Sequence, residues 1–145
     1  MKLQATLQLD DRPTKYDVRS LDYELFKQYN NSNKPSGAPE GGIINFTILS
    51  PTKENFEFHN WLLDVKTSGN MVQHQQKSGK FFLPITHGTE QVTKTLKFEN
   101  AYCVHLSEYY SGTDSSQMSM RIRISAQIIK FDEEGQVKFK NKTIK

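Results

Sequence analysis

The sequence predicts an all-β (mainly) domain, a small β-barrel of two packed antiparallel sheets with one short α-helix at its side. Three observations carry that expectation. Apolar and polar residues alternate at period two over much of the chain, most cleanly where Met118, Met120, Ile122, Ile124 and Ala126 share one face. A single stretch, around the only tryptophan, shows a helical i, i+3, i+4, i+7 stripe of Phe58, Trp61, Leu62 and Val65. Apolar residues make up 35% of the 145, and mean hydropathy is −0.68. That is low for a chain long enough to bury a substantial core, so part of each sheet must stay wet.

In chain order, Leu3, Ala5, Leu7 and Leu9 alternate with polar residues as a half-buried strand that ends in the turn Asp10-Asp11-Arg12-Pro13. The next strand changes phase. Tyr16 and Val18 share one face, Leu21, Tyr23 and Leu25 the other, which predicts a bulge or a crossing between sheets. Residues 27–41, with Pro35, Gly37, Pro39 and Gly41, read as a long polar loop, a length that in compact domains tends to be functional or disordered. Ile44, Phe46 and Ile48 make an apolar strand that runs into the helix. Ser50 suits its N-cap, Pro51 its first position and Gly69 its end.

The polar stretch 69–80 reads as a projecting hairpin or loop, and Phe81-Phe82-Leu83-Pro84 as the end of a strand. Residues 92–110 form a long strand with Leu96, Phe98, Tyr102, Val104 and Leu106 in phase and Cys103 and His105 on the polar side. The phase flips again at Ile128-Ile129, and Glu133-Glu134-Gly135 turns into a last strand with Val137 and Phe139. The sum is about seven or eight strands and one helix, with no internal repeat and no boundary, hence a single domain over 1–145.

Composition narrows the function. A net charge of +3, from 19 basic and 16 acidic residues, is too balanced for a dedicated nucleic-acid binder. One cysteine rules out a disulfide framework and suits a reducing compartment. The alternating start MKLQATLQLDD does not read as a secretory signal, and no run approaches the roughly 18 apolar residues that span a bilayer.

Chemistry is sparse. His59, His74, His87 and His105 show no metal-type spacing, and no phosphate-loop pattern is present. Cys103 and His105 form a conceivable nucleophile pair, but neighbours on an open strand lack the orienting group and oxyanion donors that acyl-transfer chemistry needs. No catalytic, cofactor or metal residue is therefore predicted. The outward row Gln117, Ser119, Arg121, Arg123, Ser125 and Gln127 is either an ordinary solvated face or a surface that lines a channel or meets another subunit. Patterning alone predicts a single β domain acting in binding or assembly.

The order of motifs adds a resemblance. MKLQATLQLD, YDVRSLDYEL, KPSGAPEGGIINFTILSP, FHNWLLD, TKTLKFENAYCVHLSEYY and SSQMSMRIRISAQII, spread over nearly the whole chain, resemble the tube protein of type VI secretion systems. The similarity is to the Bacteroidetes-type branch of the hemolysin-coregulated protein family; residues 69–80 fit its pattern least.

The resemblance implies a non-enzymatic, cofactor-free subunit that forms homohexameric rings. The rings stack into a hollow, phage tail tube-like conduit. A contractile sheath expels it with a spike at its tip, and effector proteins travel inside. Assembly would be cytoplasmic and export would need no signal peptide. The family's loop after the second strand contributes to ring stacking; here that segment includes Asn33, Lys34, Pro35, Ser36, Gly37, Ala38 and Pro39. The strand face of Gln117, Ser119, Arg121 and Arg123 would line the bore or meet a neighbouring subunit.

A monomeric ligand- or carbohydrate-binding β module is the alternative, and it requires an exposed aromatic cluster, for which Tyr29, Tyr109 and Tyr110 are the candidates. An enzyme would require Cys103 or His105 to act.

Overall fold

The computed structural model describes residues 4–64, 74–113 and 117–141. In chain order the elements are β1 (Thr6–Leu9), β2 (Lys15–Phe26), β3 (Glu40–Leu49), α1 (Glu57–Leu63), β4 (Lys77–His87), β5 (Glu90–Tyr110), β6 (Met118–Ser125), β7 (Ile128–Lys130) and β8 (Lys138–Lys140). Neighbouring strands follow the order β4-β1-β2-β3-β6-β5, and β4 pairs again with β5, so the sheet closes on itself; β7 and β8 extend from β5. All these pairings are antiparallel.

Two long strands each serve in both sheets. The start of β2 pairs with β1, as in Leu7↔Tyr16, whereas its remainder pairs with β3. The register shifts between Val18 and Ser20, where the apolar phase switches in the sequence, so the expected crossing is present. The first half of β5 pairs with β4 and its second half, from Tyr102, with β6. The flip near Ile128 is a third crossing. Ala126 donates its N–H to the Gly42 carbonyl at 2.7 Å, and Gln127 donates to the Glu99 carbonyl at 3.2 Å, carrying the chain from the β3 side to the β5–β7 side.

The core lies between the two sheets. Leu7, Leu9, Ile44, Phe46, Phe81, Phe98, Ile122 and Ile124 are fully buried, each an alternate residue of its strand. The rings of Phe46 and Phe81 meet edge-on with centroids 5.0 Å apart, a geometry that aligns positive ring edge with negative face. Burial of each such side chain stabilises by roughly 1.5–3 kcal/mol. Gly42 is required where β3 starts. Its φ is +97°, and a Cβ there would stand 2.7 Å from the Ala126 carbonyl oxygen.

The helix is shorter than expected. It starts at Glu57, not at Pro51, and Ser50 does not cap it. The Ser50 hydroxyl donates instead to Glu108 at 3.0 Å, while Asn55 Oδ1 accepts the Glu57 N–H at 3.0 Å. Asp64, in the left-handed region at φ 55°, ends the helix, and the expected end at Gly69 lies outside the described residues. Phe58 and Trp61 are buried, whereas Phe56 and Leu63 are exposed, so only one stripe is covered. The Trp61 indole N–H donates to the Ala101 carbonyl at 3.1 Å and fixes the helix against β5. Arg12, in the β1–β2 turn, ion-pairs with buried Glu57 and pins the helix start.

Two further corrections concern strand extents. β4 runs through Pro84, which pairs with Thr93 in a two-stranded ribbon projecting to His87. This ribbon carries exposed Ile85 and Val92. In β5, Asn100 adopts φ 54° and the register shifts between Cys103 and His105. Cys103 therefore points inward and is buried, while Val104 is exposed, the reverse of their expected sides.

Candidate assembly surfaces

The outer face of the sheet β2-β3-β6-β5 is built from the residues between the buried ones. Across the four strands, Asp22 faces Asn45, Asn45 faces Arg123, and Arg123 faces His105. Arg123 Nε donates to Asn45 Oδ1 at 2.7 Å, and Asn45 Nδ2 donates to Asp22 Oδ1 at 3.0 Å. In the adjacent row Ser20, Thr47, Arg121 and Ser107 stand side by side, and Ser119 lies between Leu49 and Tyr109. Ser119, Arg121 and Arg123 thus share the outer face, and Gln117 is exposed just before β6. Sequence reasoning found the arginines and set His105 on a polar strand face, but missed Asp22, Asn45 and the joining of all four in one row, because which strands are neighbours is not written in any local pattern.

The segment after β2 is an ordered arm. Tyr29 and Pro35 form an isolated β-bridge, so the β2–β3 hairpin continues to its tip. Asn30 organises that tip: its Oδ1 accepts the N–H groups of Ser32 at 2.9 Å and Lys34 at 3.1 Å, and its own N–H donates to the Lys34 carbonyl at 2.9 Å. Asn33 takes a left-handed conformation at φ 61°. Asn33, Lys34, Pro35, Ser36, Gly37 and Pro39 are exposed and Ala38 half-buried. A groove of about 630 Å³ runs between the arm's base and β8, with Phe26, Pro39, Ile43 and Phe139 as its apolar lining.

The other candidates are not assembled into a site. The Cys103 thiol is pushed up to about 11, mainly by burial, and its weak contact is with the His105 carbonyl at 3.8 Å, not with the imidazole. Among the described residues no cluster of three His, Cys, Asp or Glu side chains is placed to hold a metal ion. Tyr109 and Tyr110 lie by the Leu49 end of β3, and Tyr29 lies on the arm at its Glu40 end, so no aromatic cluster forms. Among the described residues no helix is long and apolar enough to cross a membrane.

The structure combines a closed barrel, a projecting ordered arm and a polar, internally bonded sheet face. The chain belongs to the hemolysin-coregulated protein (Hcp, TssD) family, whose model matches residues 1–142, and it is a tube subunit of the type VI secretion system. The fold is similar to that of Hcp1 from Flavobacterium johnsoniae, in line with the Bacteroidetes-type resemblance, with TM-score 0.71, 23% identity, and 96% of this chain and 100% of that chain covered. It is also similar to Hcp1 from the E. coli EAEC 042 pathovar, with TM-score 0.67, 14% identity and coverage of 96% and 99%. The fold is similar as well to a chain of the sheath–tube complex of an extracellular contractile injection system, PVC, in its extended state, at TM-score 0.53, 14% identity and coverage of 94% and 88%. No curated protein matches the sequence significantly.

Proposed function

We propose that six copies of this subunit close into a ring, and that rings stack into a hollow tube inside a contractile sheath. The observation that carries the ring is the pair of open edges on the polar sheet. Residues 19–26 of β2 pair only with β3, and residues 102–110 of β5 pair only with β6, among the described residues. Such edges offer unpaired backbone N–H and C=O groups along both flanks of one sheet, and they favour lateral joining of copies. Joined in this way, the sheets enclose a bore walled by the outer face of Ser119, Arg121 and Arg123. A wet bore accounts for the low mean hydropathy.

The arm serves ring stacking. Its tip is preorganised by Asn30, which reduces the entropy lost on docking, and its apolar groove supplies area to bury. The subunit assembles in the cytoplasm, carries no catalytic activity, and leaves the cell with a spike at the tube's tip and effector proteins inside it.

Deletion of residues 33–39 tests the stacking role: rings form but stack poorly, and unchanged tube formation contradicts it. Arg121→Cys tests the bore. Since Cys103 is buried, a bulky maleimide reads the new thiol alone. In a bore the labels crowd and fewer than one per subunit attach; full labelling of intact rings contradicts the assignment.

A further inference from the structure

We infer that the outer face of the sheet β2-β1-β4-β5-β7-β8 is a docking track for an acidic protein surface outside the tube. Strand pairing lines up lysines from neighbouring strands in one row. Lys80 of β4 faces Lys97 of β5, Lys97 faces Lys130 of β7, and Lys130 faces Lys138 of β8. On the other side of Lys80 stands Gln8 of β1, and beyond it Lys15 of β2. Phe81, Leu96, Phe98, Ile129 and Phe139, which alternate with these lysines along their strands, are buried, so the row points away from the core.

Like charges directly opposite one another destabilise a sheet, so fold stability does not account for this row. Little on the face offsets it. Glu99 pairs with Lys130, and Lys15 lies 5.2 Å above the Phe82 ring, but Lys80, Lys97 and Lys138 have no ion pair among the described residues. Asp17, at the β2 margin, stands opposite Thr6, and Glu133 and Glu134 lie past the strands in the β7–β8 turn. The β2-β3-β6-β5 face differs, since there Asp22 and Arg123 are joined through Asn45.

Charge and placement select the occupant. Ammonium groups carried on strands about 4.8 Å apart sum to a positive field that favours a surface rich in carboxylates. Phe82, covered by Lys15, is the one aromatic on the outer face of these strands, which disfavours a nucleic acid that needs several stacking platforms. The outward placement rests on the ring reading. Where the β2-β3-β6-β5 face walls the bore, the opposite sheet faces away from it, towards the inner wall of the sheath. Each exposed pair is weak, and repetition around the ring and along the tube gives the track its strength.

The test is retention of purified rings on polyglutamate-coated beads at low salt, with the solution mass read on the same sample. A bead reaches only outward-facing residues. Wild type is retained. Lys80→Gln with Lys97→Gln weakens half-maximal retention by about tenfold, and arginine at both positions preserves it. Lys53→Gln with Lys94→Gln, an equal change of charge elsewhere, leaves it within about twofold. Lys80→Gln with Lys138→Gln, both at exposed positions, is read instead if the first pair does not fold. Rings that the beads do not retain, or row variants retained as well as wild type, overturn the docking track and leave the ring reading intact. Beads coated with a single-stranded oligonucleotide of equal charge that retain the rings as tightly overturn the choice of partner. A monomeric wild-type mass overturns the ring reading instead; the row lies within one protomer, so its dependence on lysine is still read from the same beads.

Discussion

The Trp61 indole donates to the carbonyl of Ala101 at 3.1 Å, and this bond ties the single helix to the point where β5 passes from one sheet to the other. The helix therefore closes the core at a seam instead of resting on a sheet face. Trp61→Phe removes the donor, leaves a buried carbonyl with one partner fewer and opens space. We expect a loss of about 1–3 kcal/mol in urea unfolding at fixed protein concentration. Unaltered stability contradicts a docking role for this bond.

Arg12 and Glu57 form a pair in which the carboxylate is buried. Burial pushes the Glu57 carboxyl above its usual range, and Lys77 and Arg12 pull it partly back. A carboxyl whose folded value is raised contributes stability below its unfolded value and loses it as pH rises through the folded one. Arg12→Ala leaves that charge without its direct partner and is expected to cost up to about 3 kcal/mol at pH 7. The difference from wild type shrinks as pH falls through that raised folded value, because the buried carboxyl is then protonated and needs no partner. A difference that stays constant across pH contradicts the pairing.

Glycines 37 and 42 make opposite predictions. A Cβ on Gly37 meets nothing within 4 Å, whereas one on Gly42 meets the Ala126 carbonyl oxygen at 2.7 Å with φ at +97°. Gly37→Ala is expected to be neutral or to stabilise by up to about 1 kcal/mol, and Gly42→Ala to destabilise by more than that. Thermal unfolding of the two variants checks the pair.

Cys103 is buried with its thiol raised to about 11, so little thiolate exists at pH 8. A disulfide reagent at pH 8 is expected to react slowly with the native protein and promptly once it is unfolded in urea. Fast native reaction contradicts the inward placement.

Much of the fold was legible because alternation reports sheet faces directly. The Tyr16/Val18 to Leu21/Tyr23 switch marked the crossing in β2, and Met120, Ile122 and Ile124 are buried as their spacing predicts. What was misread depends on partners distant in sequence. Ser50 looks like a helix cap until Glu108, from β5, takes its hydroxyl. Cys103 and Val104 exchange sides because a left-handed Asn100 and a bulge shift a phase that a count by twos carries through unchanged. The arm read as a loop because its order comes from one side chain, Asn30, and not from any apolar pattern. On the polar face, Arg121 and Arg123 are indistinguishable in the sequence, and only the neighbouring strand that carries Asn45 separates them.

Closure of this subunit into six-membered rings is read from its solution mass, followed by negative-stain imaging of the same fraction. A hexameric mass and rings with a central hole are expected. A monomer at high concentration, with no rings in the images, contradicts closure.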